Sequence, residues 1–430
     1  MTLARVIHAS LAPTVSLRDV RLAAALLVRP AAWQNGPHRE RLEQELKAHV
    51  ENASVVALGS GRNALRLVLE ALELRRGDAV FLQAYTCVSV PGPVLWVGAT
   101  PVYVDIRPDT FTMDPDDLRR KLEALPPRSR PRVLIVQHTF GLPADLDQLL
   151  EIARAQNLFV IEDCAHALGA TYQGRPVGTF GDAAIVSFGR DKVISSVFGG
   201  ALFVRNAFVA QRLAPRIAAL PVPSRWWIAQ QLLHPLLATA ARETYWAGGR
   251  YALRSFQELG VLSKALTAAE KRGGAPSLAP HHLPNALAAL ARSQFQQLPE
   301  FSQQRQTLAK HYTESLRDFS DVRLPEIPPD RTHGFLRYTI RVPNPARLHA
   351  AARRAGIILG DWYDTVVAPR DTDLSAVQYR LGSCPHAEEA AQRSVNLPTS
   401  PGIGIPEADR VLRSVRKARS LPHWGHANPQ

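Results

Sequence analysis

Three short stretches, each at the end of an apolar run, carry side chains whose chemistry becomes specific when they are taken together. Gly59-Ser60-Gly61-Arg62-Asn63-Ala64 opens a helical pattern. Backbone N–H groups at such a helix start cradle a phosphate. The spacing also fits a G-x-G-x-x-A dinucleotide fingerprint, which asks for an acid at the end of the next strand. That strand ends Phe81-Leu82-Gln83, without one. A plain glycine turn remains the alternative. The second stretch, Leu158 to His166, sets Asp163 at the carboxyl end of a strand. An aspartate there either caps the next turn or faces a pyridine nitrogen and keeps it protonated. The third is Ser187-Phe188-Gly189-Arg190-Asp191-Lys192. Ser187 can donate to a phosphate, and a lysine five residues on can form an imine and then move a proton. Most lysines are only solvated surface cations, so it is the three stretches together that carry the reading.

Such groups meet only if strands deliver them to one edge. The first half alternates β-branched runs with helical patterns, which predicts a mostly parallel sheet covered by helices, with function at the strands' carboxyl ends. Strands are expected at Val55–Leu58, Ala79–Leu82, Pro101–Val104, Val133–Val136, Leu158–Ile161, Ala184–Ser187 and Ala201–Val204. Helices are expected at Arg39–Val50, Asn63–Leu74, Asp114–Leu125 and Leu146–Ala155. The chain divides into an N-terminal segment (1–35), a large α/β domain (36–205), a basic helical insertion (206–280) and a smaller C-terminal domain with its connecting helix (281–430). In the last, a helix at Leu298–Leu316, a strand at Phe335–Val342 and helices at Ala346–Ala355 and Pro406–Ala418 are expected, with a frayed tail after Ser420.

At 46% hydrophobic and 21% charged residues over 430 positions, the composition is that of a globular protein with a sizeable core. No apolar run approaches the roughly 20 residues that span a bilayer, and the first residues lack a secretory core. Cys87, Cys164 and Cys384 show no disulfide or metal-ligand spacing, so a reduced, cytoplasmic setting without a metal is expected. The net charge of +13 is uneven: from Arg205 to Arg272 ten basic residues face three acidic ones. That stretch also holds Trp226, Trp227 and Trp246 and an uncharged run from Trp226 to Ala241. It reads either as helices packed on the large domain or a partner, or as a surface touching anionic membrane. Nothing points to nucleic acid.

The ordered motifs resemble the DegT family of nucleotide-sugar aminotransferases, pyridoxal-phosphate enzymes of fold type I. Ser60 to Leu65 is similar to that family's SGTAAL loop, and Gly98 to Ile106 to its G-x-x-P-V-F-V-D-I segment. Gln137 to Gly141 resembles VHLYG, Ile161 to Ala170 resembles IEDAAQALGA, and Gly178 to Asp182 resembles GSFGD. Ser187 to Lys192 with Gly199-Gly200 is similar to the lysine motif, and Pro385 to Glu388 and Asn396 to Pro398 match two later landmarks. The resemblance implies pyridoxal 5'-phosphate held as a Schiff base on Lys192, with Asp163 on the ring nitrogen. It implies phosphate contacts from Ser187, Gly61 and Arg62, and His166 at the ring hydroxyl. It further implies an amino-acid donor such as glutamate, a keto-sugar acceptor on a nucleotide in glycan biosynthesis, and a homodimer. Departures stand beside these. Arg62 replaces a threonine, and His166 replaces a glutamine and brings a group titrating near neutrality. Cys87 takes the place of a stacking ring, which passes to Tyr85. Val197-Phe198 replaces Gly-Glu, and the G-x-N-Y-R segment directed at a partner's cofactor is missing, with Asn285 its nearest candidate. A dehydratase of the same fold and a non-catalytic binding protein are the alternatives; Lys192 favours amination over dehydration.

Overall fold

Strands that read as unbroken apolar runs must be covered on both faces, and the seven that fulfil this form one sheet. In the computed structural model residues 6–51, 53–422 and 424 are described. The strands are β1 (Ser54–Leu58), β2 (Asp78–Gln83), β3 (Thr100–Val104), β4 (Arg130–Gln137), β5 (Phe159–Asp163), β6 (Ala183–Ser187) and β7 (Gly200–Val204). Their spatial order is β1-β7-β6-β5-β4-β2-β3. β7 runs antiparallel to both neighbours, and the remaining pairs are parallel. Alternate residues feed separate cores: Val80, Leu82, Ile135 and Ile185 on one face, Phe81, Leu134 and Val136 on the other. This is the expected α/β architecture, with a large mostly parallel sheet of seven strands.

The first helix after β1, Gly61–Ala71, starts two residues earlier than expected, because Ser60 Oγ accepts from Asn63 N at 3.2 Å and caps it there. In the C-terminal part Tyr338–Arg341 pairs antiparallel with Ser394–Leu397, under helices Leu298–Leu316, Pro345–Arg354 and Ile405–Arg419. Two long-range pairings tie the parts together. Ile7–His8 lies parallel to Ile357–Ile358, and Val367–Ala368 lies parallel to Thr86–Cys87. The second draws residues 362–368 to the carboxyl edge of the sheet.

The basic stretch folds as helices Ala207–Ala218, Arg225–Glu243 and Gly249–Glu258. Among the described residues no helix is long and apolar enough to cross a membrane. Two further helices, Leu17–Leu27 and Asn285–Phe295, add to the expected elements, the first started by a Ser16–Asp19 capping box; Ala23 and Leu26 of the first share one core with Ile228 and with Leu287 of the second. Of the tail expected to fray, residues 423 and 425–430 lie outside the described residues, while Trp424 is buried and its indole N–H donates to Asp321.

Candidate active site

The carboxyl ends of β1, β5 and β6 converge on one cavity of about 180 Å³. Gly61, Arg62, Cys87, Asp163, His166, Ser187 and Lys192 all line it, so seven of the eight expected residues come together. Gly61 begins the Ser60-capped helix with its N–H groups directed at that end. Backbone crowding keeps the cradle open to small residues only: a Cβ on Gly200 would lie 2.5 Å from Gly61 N.

Asp163 is buried at the end of β5, where Oδ1 accepts from Ala165 N at 3.0 Å. Burial raises its pKa against the pull of that N–H, Lys192 and His138. Lys192 sits in the loop after β6; burial lowers its pKa, opposed by Cys87, Asp163 and Asp191. A lowered pKa favours the neutral, nucleophilic amine. A helix start, a hydroxyl, a buried carboxylate and a buried amine on one cavity fit pyridoxal phosphate: the first two suit its phosphate, and a carboxylate without a cationic partner in contact suits a protonated ring nitrogen.

Several expectations change. Tyr85 does not line the cavity. It is fully buried in an aromatic cluster, stacked on Phe111 at 5.6 Å and edge-on to Tyr363 at 5.4 Å. Besides Phe198, the aromatic rings that do line it are Trp362 and Tyr363, with Lys192 Nζ 5.1 Å from the Trp362 centroid. They lie 170 residues further along the chain and no local pattern marks them; only the Val367–Ala368 pairing to the Cys87 strand places them. Arg62 is also not free over the helix start. Its Nη1 pairs with Glu270 at 2.6 Å and its Nη2 donates to Ala265 O at 3.0 Å, so it straps residues 265–270 across the cavity. Asn285, the candidate for reaching a partner's cofactor, accepts from His38 N and donates to Ala32 O, away from this chain's own cavity, as a contact with a partner's site would require.

His166 is not a group titrating near neutrality. Burial, then the Lys192 and Arg337 charges, push its pKa well below the usual value. Phe140 N donates to its Nδ1 at 3.3 Å, which leaves the proton on Nε2, 3.4 Å from the Tyr363 hydroxyl. His234 and His333 are held neutral by burial too, His333 down to about 3. The unfolded chain protonates these groups below about pH 6.5 while the folded chain does not. Their contribution to stability is therefore full above that pH and is lost as pH falls toward the folded values, at about 1.4 kcal/mol per pH unit per group. Urea midpoints taken from pH 7 to pH 5 should decline, and His166→Gln should make that decline shallower by about one proton. An unchanged slope in the variant would count against this assignment.

Beside the cavity Glu162 accepts from Gly178 N, Phe180 N and Gly181 N at 2.7–2.8 Å and from His138 Nε2 at 3.2 Å. Burial opposes its charge, but these partners outweigh burial and hold its pKa below the usual range. His138, Glu162 and Cys164 cluster within 4.8 Å, and Glu162 is already saturated by loop N–H groups, which makes the cluster a clamp on residues 178–181. Glu162→Ala should cost about 3–5 kcal/mol in denaturant unfolding, since it leaves three N–H groups and a histidine buried without an acceptor. A loss below about 1 kcal/mol would rule the clamp out.

The basic stretch gives Ala265 and Leu266 to the cavity lining and packs against Phe198 of that lining. Phe198 meets Trp227 edge-on at 5.6 Å, and Trp227 meets His281 at 5.1 Å. Arg190 Nη2 donates to Ser263 O at 2.7 Å, and Ser263 Oγ donates to Gln231 of helix Arg225–Glu243 at 2.8 Å.

The sheet order, the lysine after β6 and the aspartate at the end of β5 define a fold type I pyridoxal-phosphate enzyme. The chain belongs to the DegT/DnrJ/EryC1/StrS aminotransferase family, whose model matches residues 19–222 and 254–416. It is a pyridoxal-phosphate-dependent aminotransferase. The internal residues between the two matched parts, 223–253, hold the helix that carries Trp227 and Gln231. Over 401 residues the chain is 28% identical to the erythromycin biosynthesis sensory transduction protein EryC1 of Saccharopolyspora erythraea, covering 93% of this chain and 94% of that one. It is 27% identical over 402 residues to the UDP-N-acetyl-3-dehydro-alpha-D-glucosamine 3-aminotransferase of Acidithiobacillus ferrooxidans, covering 93% and 94%. Among solved structures, S. venezuelae DesV in complex with a ketimine intermediate superposes with a TM-score of 0.72 at 26% identity, covering 97% of this chain and 99% of that one.

Proposed function

We propose that this aminotransferase moves an amino group from an amino-acid donor, glutamate by the family resemblance, to a keto-sugar carried on a nucleotide. What carries the reading is the convergence of Lys192, Asp163, Ser187 and Gly61 on one cavity. The substrate class is supported by a full-length relative whose name is that of an aminotransferase for a UDP-linked dehydro-sugar.

Gly61 N–H and the Ser187 hydroxyl would hold the cofactor phosphate, and Asp163 its ring nitrogen. The bound cofactor supplies an electron sink next to the donor carbon. Lys192 would anchor it and, once displaced, carry a proton between donor and cofactor carbons. Tethering that base in a buried loop removes much of the entropic cost of each transfer. Trp362, Tyr363 and Phe198 line the cavity that an acceptor would enter, and Trp227 packs against Phe198. To test this, protein loaded with pyridoxamine phosphate is offered keto-sugars on nucleotides, free keto-sugars and simple keto acids, and the amine products are measured. Nucleotide-linked sugars should be preferred. Amination of simple keto acids alone would overturn the substrate class.

We further propose a cytoplasmic homodimer that touches anionic membrane at its periphery through residues 205–272. Trp226 is 61% exposed and Tyr251 62% exposed, close in sequence to Arg225, Arg250 and Arg254, whereas Trp227 turns inward against Phe198. Co-sedimentation with phosphatidylserine vesicles should be seen at low salt and should drop in Trp226→Ala. Protein that stays in the supernatant would refute the membrane contact, and a fully active monomer in sedimentation would refute the dimer.

A further inference from the structure

Three cations line the cavity, and two of them are already committed. Arg62 is neutralised by Glu270 at 2.6 Å, and Lys192 belongs to the chemistry. Arg190 is the third, and among the described residues no carboxylate forms an ion pair with it. Its hydrogen bonds leave from Nη2, to Ser263 O at 2.7 Å and Ser263 Oγ at 2.8 Å, while Nε is buried without a partner. Its Cζ lies 5.4 Å from the ring centroid of Phe198, another cavity residue. Burial lowers its pKa to about 10, so it stays cationic at neutral pH. The opposing charge acting on it is the adjacent Asp191, whose carboxylate is drawn more strongly by Arg337 and Lys192 than by Arg190.

Helix Arg225–Glu243, which lies wholly between the two parts matched by the family model, sets this arginine in place. Trp227 and Gln231 stand four residues apart and therefore share one face of that helix. Trp227 packs edge-on against Phe198 at 5.6 Å. Gln231 is fully buried and accepts from Ser263 Oγ at 2.8 Å, the same oxygen that accepts from Arg190. One turn of one helix thus backs two adjoining cavity residues, a cation and an aromatic ring. A guanidinium taken out of water with a bare Nε and no carboxylate in contact is unfavourable until an anion completes it. The Phe198 ring and two neutral oxygens offset only part of that cost. The cofactor's phosphate already has Gly61 N–H and the Ser187 hydroxyl at the helix start. An acceptor carried on a nucleotide brings a diphosphate of its own, whose oxygens match the fork of a guanidinium. We propose that Arg190 receives a phosphate of the acceptor's diphosphate, and that Ser263 and Gln231 are the residues that position it, so that helix Arg225–Glu243 sets acceptor selectivity. This rests on the nucleotide-linked reading of the acceptor and adds to it the residue that would recognise the linkage.

The test is calorimetric titration of the cofactor-loaded protein with inorganic pyrophosphate, which offers the anion alone, and with glutarate, which stands in for the carboxylates of an amino donor. Arg190→Gln should weaken pyrophosphate by about 30-fold and leave glutarate unchanged, with Arg190→Lys intermediate because the charge stays and the fork is lost. Ser263→Ala and Gln231→Leu should each weaken pyrophosphate about threefold to fivefold, and Ser263→Thr, which keeps the hydroxyl, should restore it. The visible band of the cofactor and its dissociation constant should be unmoved throughout. Should Arg190→Gln fail to fold, Arg190→Lys and Ser263→Ala decide by the same probes. Pyrophosphate affinities within about twofold of wild type in the folded Arg190 variants, or no binding of pyrophosphate by the wild type, would overturn the site. A variant that loses the cofactor, or glutarate, while keeping pyrophosphate would overturn it too, by giving Arg190 to the cofactor's phosphate or to the donor. A wild-type protein that binds pyrophosphate through Arg190 but aminates no nucleotide-linked sugar keeps the phosphate site and loses the acceptor class. One that aminates such sugars while Arg190→Gln keeps full affinity loses the site and keeps the class.

Discussion

Lys192→Ala should load no cofactor as an imine, lack the absorption band near about 410–430 nm, and show no transamination. Its circular dichroism and urea midpoint should stay at wild-type levels. Lys192 lies in a loop beyond β6, outside the strand ladder, so its removal breaks no sheet hydrogen bond. Its amine is buried beside the cavity, and burial opposes its charge. Deleting a desolvated cation relieves a cost rather than breaking packing, so folding should be neutral to the change. Chemistry has no such tolerance, because no other lysine lines the cavity and an alanine neither forms an imine nor moves a proton. Wild-type turnover in the purified variant would sink the assignment. A variant that fails to fold would show that the residue is structural.

The second large effect is expected at Asp163. Asp163→Asn should bind cofactor and fold normally but lose about two or more orders of magnitude in turnover. The asparagine oxygen can still accept from Ala165 N, the bond that holds the turn after β5. What disappears is the negative charge, and with it the partner that keeps a ring nitrogen protonated. A carboxylate raised in pKa by burial regains its ionised form when a cation docks against it, so charge pairing should be worth more here than at an exposed site. Near-normal turnover would return Asp163 to the plain role of holding a turn. The two variants differ in a useful way: the lysine change should abolish the visible band, whereas the aspartate change should keep it.

These two residues were legible because each stands at or just past the end of a strand that its own sequence announces. β5 and β6 are runs of apolar residues, and the chain leaving them must emerge at the sheet's carboxyl edge. The same logic placed Gly61 and Ser187. It failed for the ring beside the cofactor. Tyr85 is near Cys87 in sequence, but it adopts φ 64° and its side chain is fully buried between Phe111, Phe140 and Tyr363. Nothing local distinguishes a tyrosine facing the cavity from one facing the core behind it. Arg62 lines the cavity as expected but carries a partner that the sequence does not announce. A cation next to a phosphate loop invites a phosphate contact, and only the folded chain shows Glu270 already holding it.

By itself, then, the sequence determined the seven strands, the basic stretch as helices, the family and the position of Asp163 and Lys192 at the sheet's carboxyl edge. Each of these depends on short-range pattern: apolar runs, caps and a reactive side chain a few residues past a strand. The tertiary structure alone decided which aromatic rings line the cavity, that His166 is neutral, and that Glu270 holds Arg62. Those properties come from residues more than 100 positions apart in the chain, and desolvation or orphaned hydrogen-bonding groups have no meaning until distant segments pack together.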